Sequence, residues 1–283
     1  MWNCPVCSGE TSRRLFVRWE FHIRECHSCR HRYAELAPQD GHVSGIYGDS
    51  YFFGGGAGYP DYLREGEILR AHGRQYARRI RRYLAPGSML DVGAAAGFLC
   101  DGFRSEGWHT EALEPNETMA AYCRNELQLC VHRSTLEQLE HTRTFDLVTM
   151  IQVVAHFTDV RGAFAKAATA TRDNGFWLIE TWNSRSTTAR VFGRHWHEYN
   201  PPSVLHYFSK QSLELLAGQF GFRPVASGHP SKRILWEHVR SVLNHQMKTR
   251  SLDRVLRAIP DDAVIPYPSE DLFWMLLQKQ VNA

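Results

Sequence analysis

The sequence predicts an α/β fold: a seven-stranded, mostly parallel sheet covered on both faces by helices, with a small metal-stapled module at the amino end. Three observations lead to it. From Ser88 onward, apolar runs of strand length alternate with segments of helical periodicity, the pattern of a parallel sheet. Asp91-Val92-Gly93-Ala94-Ala95-Ala96-Gly97-Phe98 reads as a strand, a tight turn of small residues and a helix start. Cys4-Pro5-Val6-Cys7 and Cys26-His27-Ser28-Cys29 are two Cys-x-x-Cys knuckles with 18 residues between them. The chain divides accordingly into a metal module at 1–35, an aromatic, glycine-rich linker and arginine-rich helix at 36–85, and the α/β domain at 86–283.

The elements follow in order. Each knuckle turns two thiolates toward one point, and two knuckles complete a tetrahedral zinc site on Cys4, Cys7, Cys26 and Cys29. Four protein ligands leave no open position, so the zinc is structural, and the short module depends on it for folding energy. Between the knuckles, Leu15, Val17, Trp19, Phe21 and Ile23 alternate as in a half-buried strand. Residues 36–60 hold many tyrosines and phenylalanines for a free linker, which predicts packing near the mouth of a ligand site. Tyr62–Leu84 has helical spacing, with Arg64, Arg70, Arg74, Arg78, Arg79, Arg81 and Arg82 mostly on its polar face.

Strands are expected at Ser88–Val92, His109–Glu114, Cys130–Arg133, Phe145–Ile151, Gly175–Trp182 and Phe222–Ser227. A seventh, antiparallel strand is expected at Leu272–Gln278. Helices are expected at Gly97–Glu106, Asn116–Leu127, Gly162–Thr171 and Ser209–Phe220, with Asp173-Asn174-Gly175 as a turn. Residues 183–208 form a long loop, a lid dense in Trp, His and Tyr. Residues 231–269 are an insertion with helical patterns around Trp236–Leu243 and Leu252–Ile259, suited to capping the sheet or to a homodimer surface.

Composition sets limits. Hydrophobic residues at 43% and charged residues at 22% are ordinary for a globular protein, and a formal charge of +3 is too small to argue for nucleic acid. No apolar run approaches membrane-spanning length, and Met1-Trp2-Asn3-Cys4 does not open a signal peptide; a cytoplasmic protein with no membrane partner is expected. Seven cysteines then favour metal binding over disulfides.

The turn at 91–98 suits a nucleoside without a pyrophosphate. A dinucleotide site wants Gly-x-Gly-x-x-Gly, whereas glycines here stand at 93 and 97, with Ala95 between them and Phe98 after. Glu114 ends the next strand, where a carboxylate can accept hydrogen bonds from both ribose hydroxyls. These residues resemble the class I S-adenosylmethionine-dependent methyltransferases, whose first motif is Asp-x-Gly-x-Gly-x-Gly, here with Ala95 at the middle glycine. The resemblance covers most of the chain beyond about residue 60 and implies a Rossmann-like sheet with S-adenosylmethionine as cofactor. It further implies that Asp91, Gly93, Ala95, Gly97, Glu114, Pro115, Met119, Thr135, Leu136 and Gln152 contact that cofactor. The phrase from Trp196 to Ser209 resembles a bacterial subfamily of sugar and natural-product pathways, in which an amino-terminal zinc ribbon also occurs.

Methyl transfer to a heteroatom is an in-line displacement, in which the protein positions the nucleophile and, for a hydroxyl, removes its proton. Gln152-Val153-Val154-Ala155-His156-Phe157 resembles the family phrase His-x-Leu-Glu-His-Leu, with Gln152 for His and Ala155 for Glu; His156 is the first base candidate. His206 is the second, and Trp196 and Tyr199 are candidates to line the acceptor pocket. The expected reaction is O-methylation of a small-molecule acceptor, a sugar or secondary-metabolite intermediate. Alternatives are C-methylation of a small molecule, and an RNA methyltransferase using the ribbon and the arginine-rich helix.

Overall fold

The computed structural model describes residues 3–37, 41–55, 58–140, 143–247 and 259–280, with backbone alone for 242–247. In chain order its strands are β1 Ser12–Arg18, β2 Phe21–Cys26, β3 Arg32–Ala34, β4 Ser88–Val92, β5 His109–Leu113, β6 Cys130–His132 and β7 Phe145–Ile151. There follow β8 Thr171–Trp182, β9 His206–Tyr207, β10 Phe222–Gly228, β11 Arg233–Leu235, β12 Val264–Pro266 and β13 Leu272–Lys279. The helices are α1 His42–Ile46, α2 Asp49–Phe53, α3 Gly66–Ile80, α4 Phe98–Arg104, α5 Glu117–Asn125, α6 Val160–Ala170, α7 Thr187–Phe192, α8 Lys210–Gly218 and α9 Trp236–Met247.

Seven strands form the main sheet in the order β10-β13-β8-β7-β4-β5-β6. Strands β4 to β8 run parallel, and β13 inserts antiparallel between β8 and β10, as the sequence predicts for the last strand. Central β7, Phe-Asp-Leu-Val-Thr-Met-Ile, is buried along nearly its whole length, because a parallel strand covered on both faces has no solvent side. One face carries α3, α4 and α5 through Tyr76, Ile80, Phe98, Phe103, Met119 and Cys123. The other carries α6 and α8 through Phe164, Ala167, Leu213 and Leu216.

The amino-terminal module is not a separate bead. Cys4, Val6, Cys26 and Tyr33 belong to the same core as α6 and α8, and β3 pairs with β9 of the 183–208 segment in a four-stranded sheet β1-β2-β3-β9. The lid thus supplies the module's fourth strand.

Two expectations change. The alternation from Leu15 to Ile23 runs through a hairpin rather than one strand: Trp19 and Glu20 both adopt left-handed backbone (φ 49° and 71°), the two-residue turn that suits strand twist, and it pairs Val17 with His22 and Phe16 with Ile23, so Val17 is exposed while Ile23 is buried. The expected turn at Asp173-Asn174-Gly175 is instead a bulge inside β8. Pairing with β7 jumps from Phe145↔Thr171 to Leu147↔Phe176, and Asn174 takes φ 60° to accommodate the extra residues. Of the insertion, α9 and the antiparallel pair β11–β12 are described; the helix expected at Leu252–Ile259 lies, except for Ile259, outside the described residues.

Candidate functional site

The carboxyl ends of β4, β5, β7 and β8 converge on one cleft. Asp91 on β4 is buried, accepts a hydrogen bond from Thr149 Oγ1 at 2.5 Å and lies 3.6 Å from Cys100 Sγ. Glu114 follows β5. One of its oxygens accepts from the Ala95 N–H at 2.8 Å, and the other accepts from the Asn116 N–H at the start of α5, also at 2.8 Å. Burial pushes the Asp91 carboxyl up to about 7, with the nearby Glu114 adding to it, and burial pushes Glu114 up to about 7 as well. Neither has a cationic partner among the described residues, so together they form a buried acidic pair with no counter-charge.

The turn between them is built from left-handed residues: Gly93 at φ 69°, Ala95 at 48° and Gly97 at 78°. At Gly97 a side chain has no room, since a Cβ would stand 2.6 Å from Leu129 and 2.9 Å from Cys123. Ala95 tolerates its methyl at a conformational cost of roughly 1 kcal/mol, and its carbonyl lies 3.1 Å from Cys123 Sγ. Met119 is fully buried behind this turn, and Pro115 is half-buried beside Glu114. Thr135 is half-buried in the β6–β7 connection, whereas Leu136 packs into the sheet core.

Gln152 leaves β7 with φ 58° and bonds β8 twice: its N–H donates to the Glu180 carbonyl at 2.8 Å and its side-chain amide to Glu180 Oε1 at 2.7 Å. Glu180 also takes the Tyr76 hydroxyl and lies 3.0 Å from His72 Nε2, both on α3. Burial alone raises this carboxyl, but His72, Lys232 and Gln152 outweigh it and hold it at about 2. The sequence shows Glu180 at a strand end without revealing this role, because its partners lie more than a hundred residues upstream.

Residues 41–55 and 58–62 pack over the turn at 91–98 and the start of α5. Tyr62 stacks on Phe98 (centroids 6.1 Å apart), and Tyr51, Tyr59 and Phe52 pack edge-on around it. Asn116 ties the segment down by donating to the Tyr47 carbonyl and to Asp49, each at 3.1 Å. His156, just after β7, is half-buried; its Nδ1 lies 2.7 Å from the Tyr47 hydroxyl and 2.8 Å from the Ser203 carbonyl. Burial lowers its pKa.

The other lid candidates go elsewhere. His206 sits in β9 beneath the amino-terminal module, 5.8 Å from the His31 ring, with Nε2 on the Phe157 carbonyl at 3.0 Å; burial lowers it to about 4. Trp196 and Tyr199 are each 1% exposed, which leaves no face for an acceptor. Trp196 donates to Asp271 at 2.9 Å, Tyr199 accepts from Arg32 at 2.7 Å, and both pack with Ile23, Ala34 and Tyr207. Their aromatic surface seals the lid to the module instead of lining a pocket. The lid residue that does stand out is Glu198, which burial pushes up to about 8 despite the pull of Lys232.

The four cysteine sulfurs lie within 4.8 Å of one another, with Cys4–Cys29 at 3.5 Å and Cys7–Cys26 at 3.6 Å. A tetrahedron of thiolates around zinc has sulfur–sulfur edges of about 3.8 Å, given Zn–S bonds of ~2.3 Å. Beside it Glu25, fully buried, meets Arg13 and Arg30 at 2.9 Å and Arg32 and Arg185 at 3.0 Å. On the arginine-rich helix, Arg70, Arg74 and Arg78 pair with Asp101, Glu67 and Glu106 at 2.6–2.7 Å, and Arg64 pairs with Glu237. Most of its charge is thereby neutralised locally, which weakens the case for an RNA-binding face.

Comparison with known proteins agrees with this geometry. A ubiquinone biosynthesis O-methyltransferase of Rhodopseudomonas palustris (strain BisB18) is 30% identical over 100 residues, 34% of this chain and 39% of that protein. The Rickettsia typhi protein of the same name is 30% identical over 130 residues, 43% of this chain and 52% of that one. The chain therefore matches about half the length of these curated relatives or less. Among solved structures, the 1,6-didemethyltoxoflavin-N1-methyltransferase of Burkholderia thailandensis superposes with a TM-score of 0.54 at 14% identity, covering 95% of this chain and 100% of that one. The YcgJ protein of Bacillus subtilis gives 0.54 at 16%, covering 75% and 100%. Residues 68–227 match the family described as "Methyltransferase domain", so the chain belongs to that family and its α/β domain is that of an S-adenosylmethionine-dependent methyltransferase.

Proposed function

We propose that this protein methylates a hydroxyl of a small-molecule acceptor, a sugar or secondary-metabolite intermediate, held between the strand ends and the 183–208 segment. S-adenosylmethionine supplies a methyl group activated on a sulfonium. The observation that carries the reading is the buried pair Asp91 and Glu114, two carboxylates near neutrality with no cation beside them. A cationic sulfonium with a ribose answers that arrangement: Glu114 takes the ribose hydroxyls, and Asp91 orients the methionine end. Gly93, Ala95 and Gly97 give close backbone approach, the half-buried Pro115 and Thr135 flank the adenine with Met119 and Leu136 packed behind them, and Gln152 closes the methionine side.

His156 is the proposed base. If its Nδ1–H donates to the Ser203 carbonyl, Nε2 is the basic atom, and burial keeps the ring neutral and ready to accept a proton. The relatives named O-methyltransferases support oxygen as the methylated atom. We also infer zinc on Cys4, Cys7, Cys26 and Cys29, supported by the sulfur spacing. A methyl-transfer screen with mass detection tests the reading: hydroxyl acceptors should gain a methyl, and His156→Asn should lower kcat by about 10²-fold or more with unchanged cofactor affinity. Products methylated only at nitrogen or carbon would refute it.

A further inference from the structure

We propose that an open recess beside the end of α3 is an oxyanion-binding site, built to take a phosphoryl or carboxylate group. The recess measures about 580 Å³ and is lined by Gln75, Arg78, Arg79, Arg82, Ser231 and Trp274. The spacing of 75, 78, 79 and 82 places these side chains on one helical face. Arg78 is paired with Glu106, but Arg79 and Arg82 have no carboxylate partner among the described residues. Ring faces hold them instead. The Arg79 guanidinium lies 5.3 Å from the Trp274 centroid and the Arg82 guanidinium 4.8 Å from that of Tyr83. Arg79 also donates from Nη1 to the His229 carbonyl at 3.4 Å; a guanidinium held by its flat face still turns its remaining edge N–H groups toward an oxyanion.

The floor of the recess adds a second donor. Trp274 on β13 stands directly opposite Glu180 of β8 and Gly228 of β10, so it faces the α3 side of the sheet. It is 5% exposed, and its indole N–H has no hydrogen-bond partner. At Gly228 a Cβ would stand 3.1 Å from that nitrogen, so any larger residue there would crowd the donor. A buried unpartnered N–H beside two guanidiniums without counter-charges is a donor set that lacks an acceptor, and an oxyanion supplies it.

Gln75, Arg79 and Ser231 also line a narrow cleft that continues to His72 and Tyr76, both bonded to Glu180. Seven residues of helix separate His72 from Arg79, about 10 Å along the axis. An anionic group in the recess would thus lie one short molecule's length from the strand ends. We assign it to the acceptor's own phosphoryl or carboxylate tail; this assignment rests on the methyltransferase reading, whereas the anion site does not.

The full chain, ¹⁵N-labelled at tryptophan, is titrated with inorganic phosphate and with pyrophosphate, and Trp274→Phe identifies the Trp274 indole resonance. That resonance should shift saturably, with at least tenfold weaker affinity in the double variant Arg79→Gln/Arg82→Gln. No saturable shift up to about 20 mM anion, or the same shift in the double variant, overturns the site. Arginines serving only to complement the helix end would give that negative result. S-adenosylhomocysteine is titrated into the same samples. Failure to bind there contradicts the methyltransferase reading and leaves the anion result standing. A lower KM for phosphorylated than for dephosphorylated acceptors, lost in the double variant, supports the assignment to the acceptor; equal KM values overturn it in favour of a free anion.

Discussion

Glu25 of the amino-terminal module and Arg185 of the lid face each other at 3.0 Å, joining segments 160 residues apart. The carboxylate has no exposure, and Arg13, Arg30 and Arg32 share it. Burial alone would raise its pKa, but the arginines hold it below the usual carboxylate range. Removing it would leave Arg32 and Arg185 repelling each other in a half-buried seam. Glu25→Ala should therefore destabilise the protein by about 3 kcal/mol or more in urea unfolding, and Glu25→Gln by less. A change under ~0.5 kcal/mol would show that the cluster does not hold the seam.

The proposed zinc acts through the same seam. β9 completes the module's sheet, so stripping the metal should loosen both the module and the lid. Elemental analysis should find one zinc per chain. A denaturing chelation should lower the melting temperature by at least ~5 °C and reduce methyl transfer, while S-adenosylhomocysteine still binds. Metal-free protein with an unchanged melting temperature would rule out a structural zinc.

Cofactor affinity should depend on pH. Asp91 and Glu114 have pKa values raised to about 7, so in the free protein their contribution to stability is present below the ordinary carboxylate range and is lost as pH rises through about 7. Cofactor binding runs the other way, because a sulfonium and ribose hydroxyls call for ionised carboxylates. Affinity for S-adenosylmethionine should fall about tenfold per group for each pH unit below 7, with proton release visible as buffer-dependent heats. A flat profile between pH 6 and 8 would remove the two carboxylates from the account.

The legible parts of the fold were those with local signatures. The turn at 91–98, the carboxylate of Glu114 after the next strand and the two cysteine knuckles each carry their chemistry within a few residues. What could not be read depends on partners far apart in the chain. Glu180 gains its meaning from His72 and Tyr76, and Glu25 from Arg185. Trp196 and Tyr199 show why aromatic content misleads: a pocket wall and a packed seam call for the same residues, and only burial separates them. His206 was placed by a strand pairing with β3 that no periodicity in a two-residue strand announces.

The central claim is that the Glu114 crevice binds S-adenosylmethionine. Calorimetric titration of the full chain with S-adenosylhomocysteine tests it, alongside Glu114→Ala. The account predicts one molecule bound per chain, with affinity lowered about 10- to 100-fold in the variant, the loss expected for hydrogen bonds to a charged group. Absence of binding by the unaltered protein, or equal affinity in both, would contradict it.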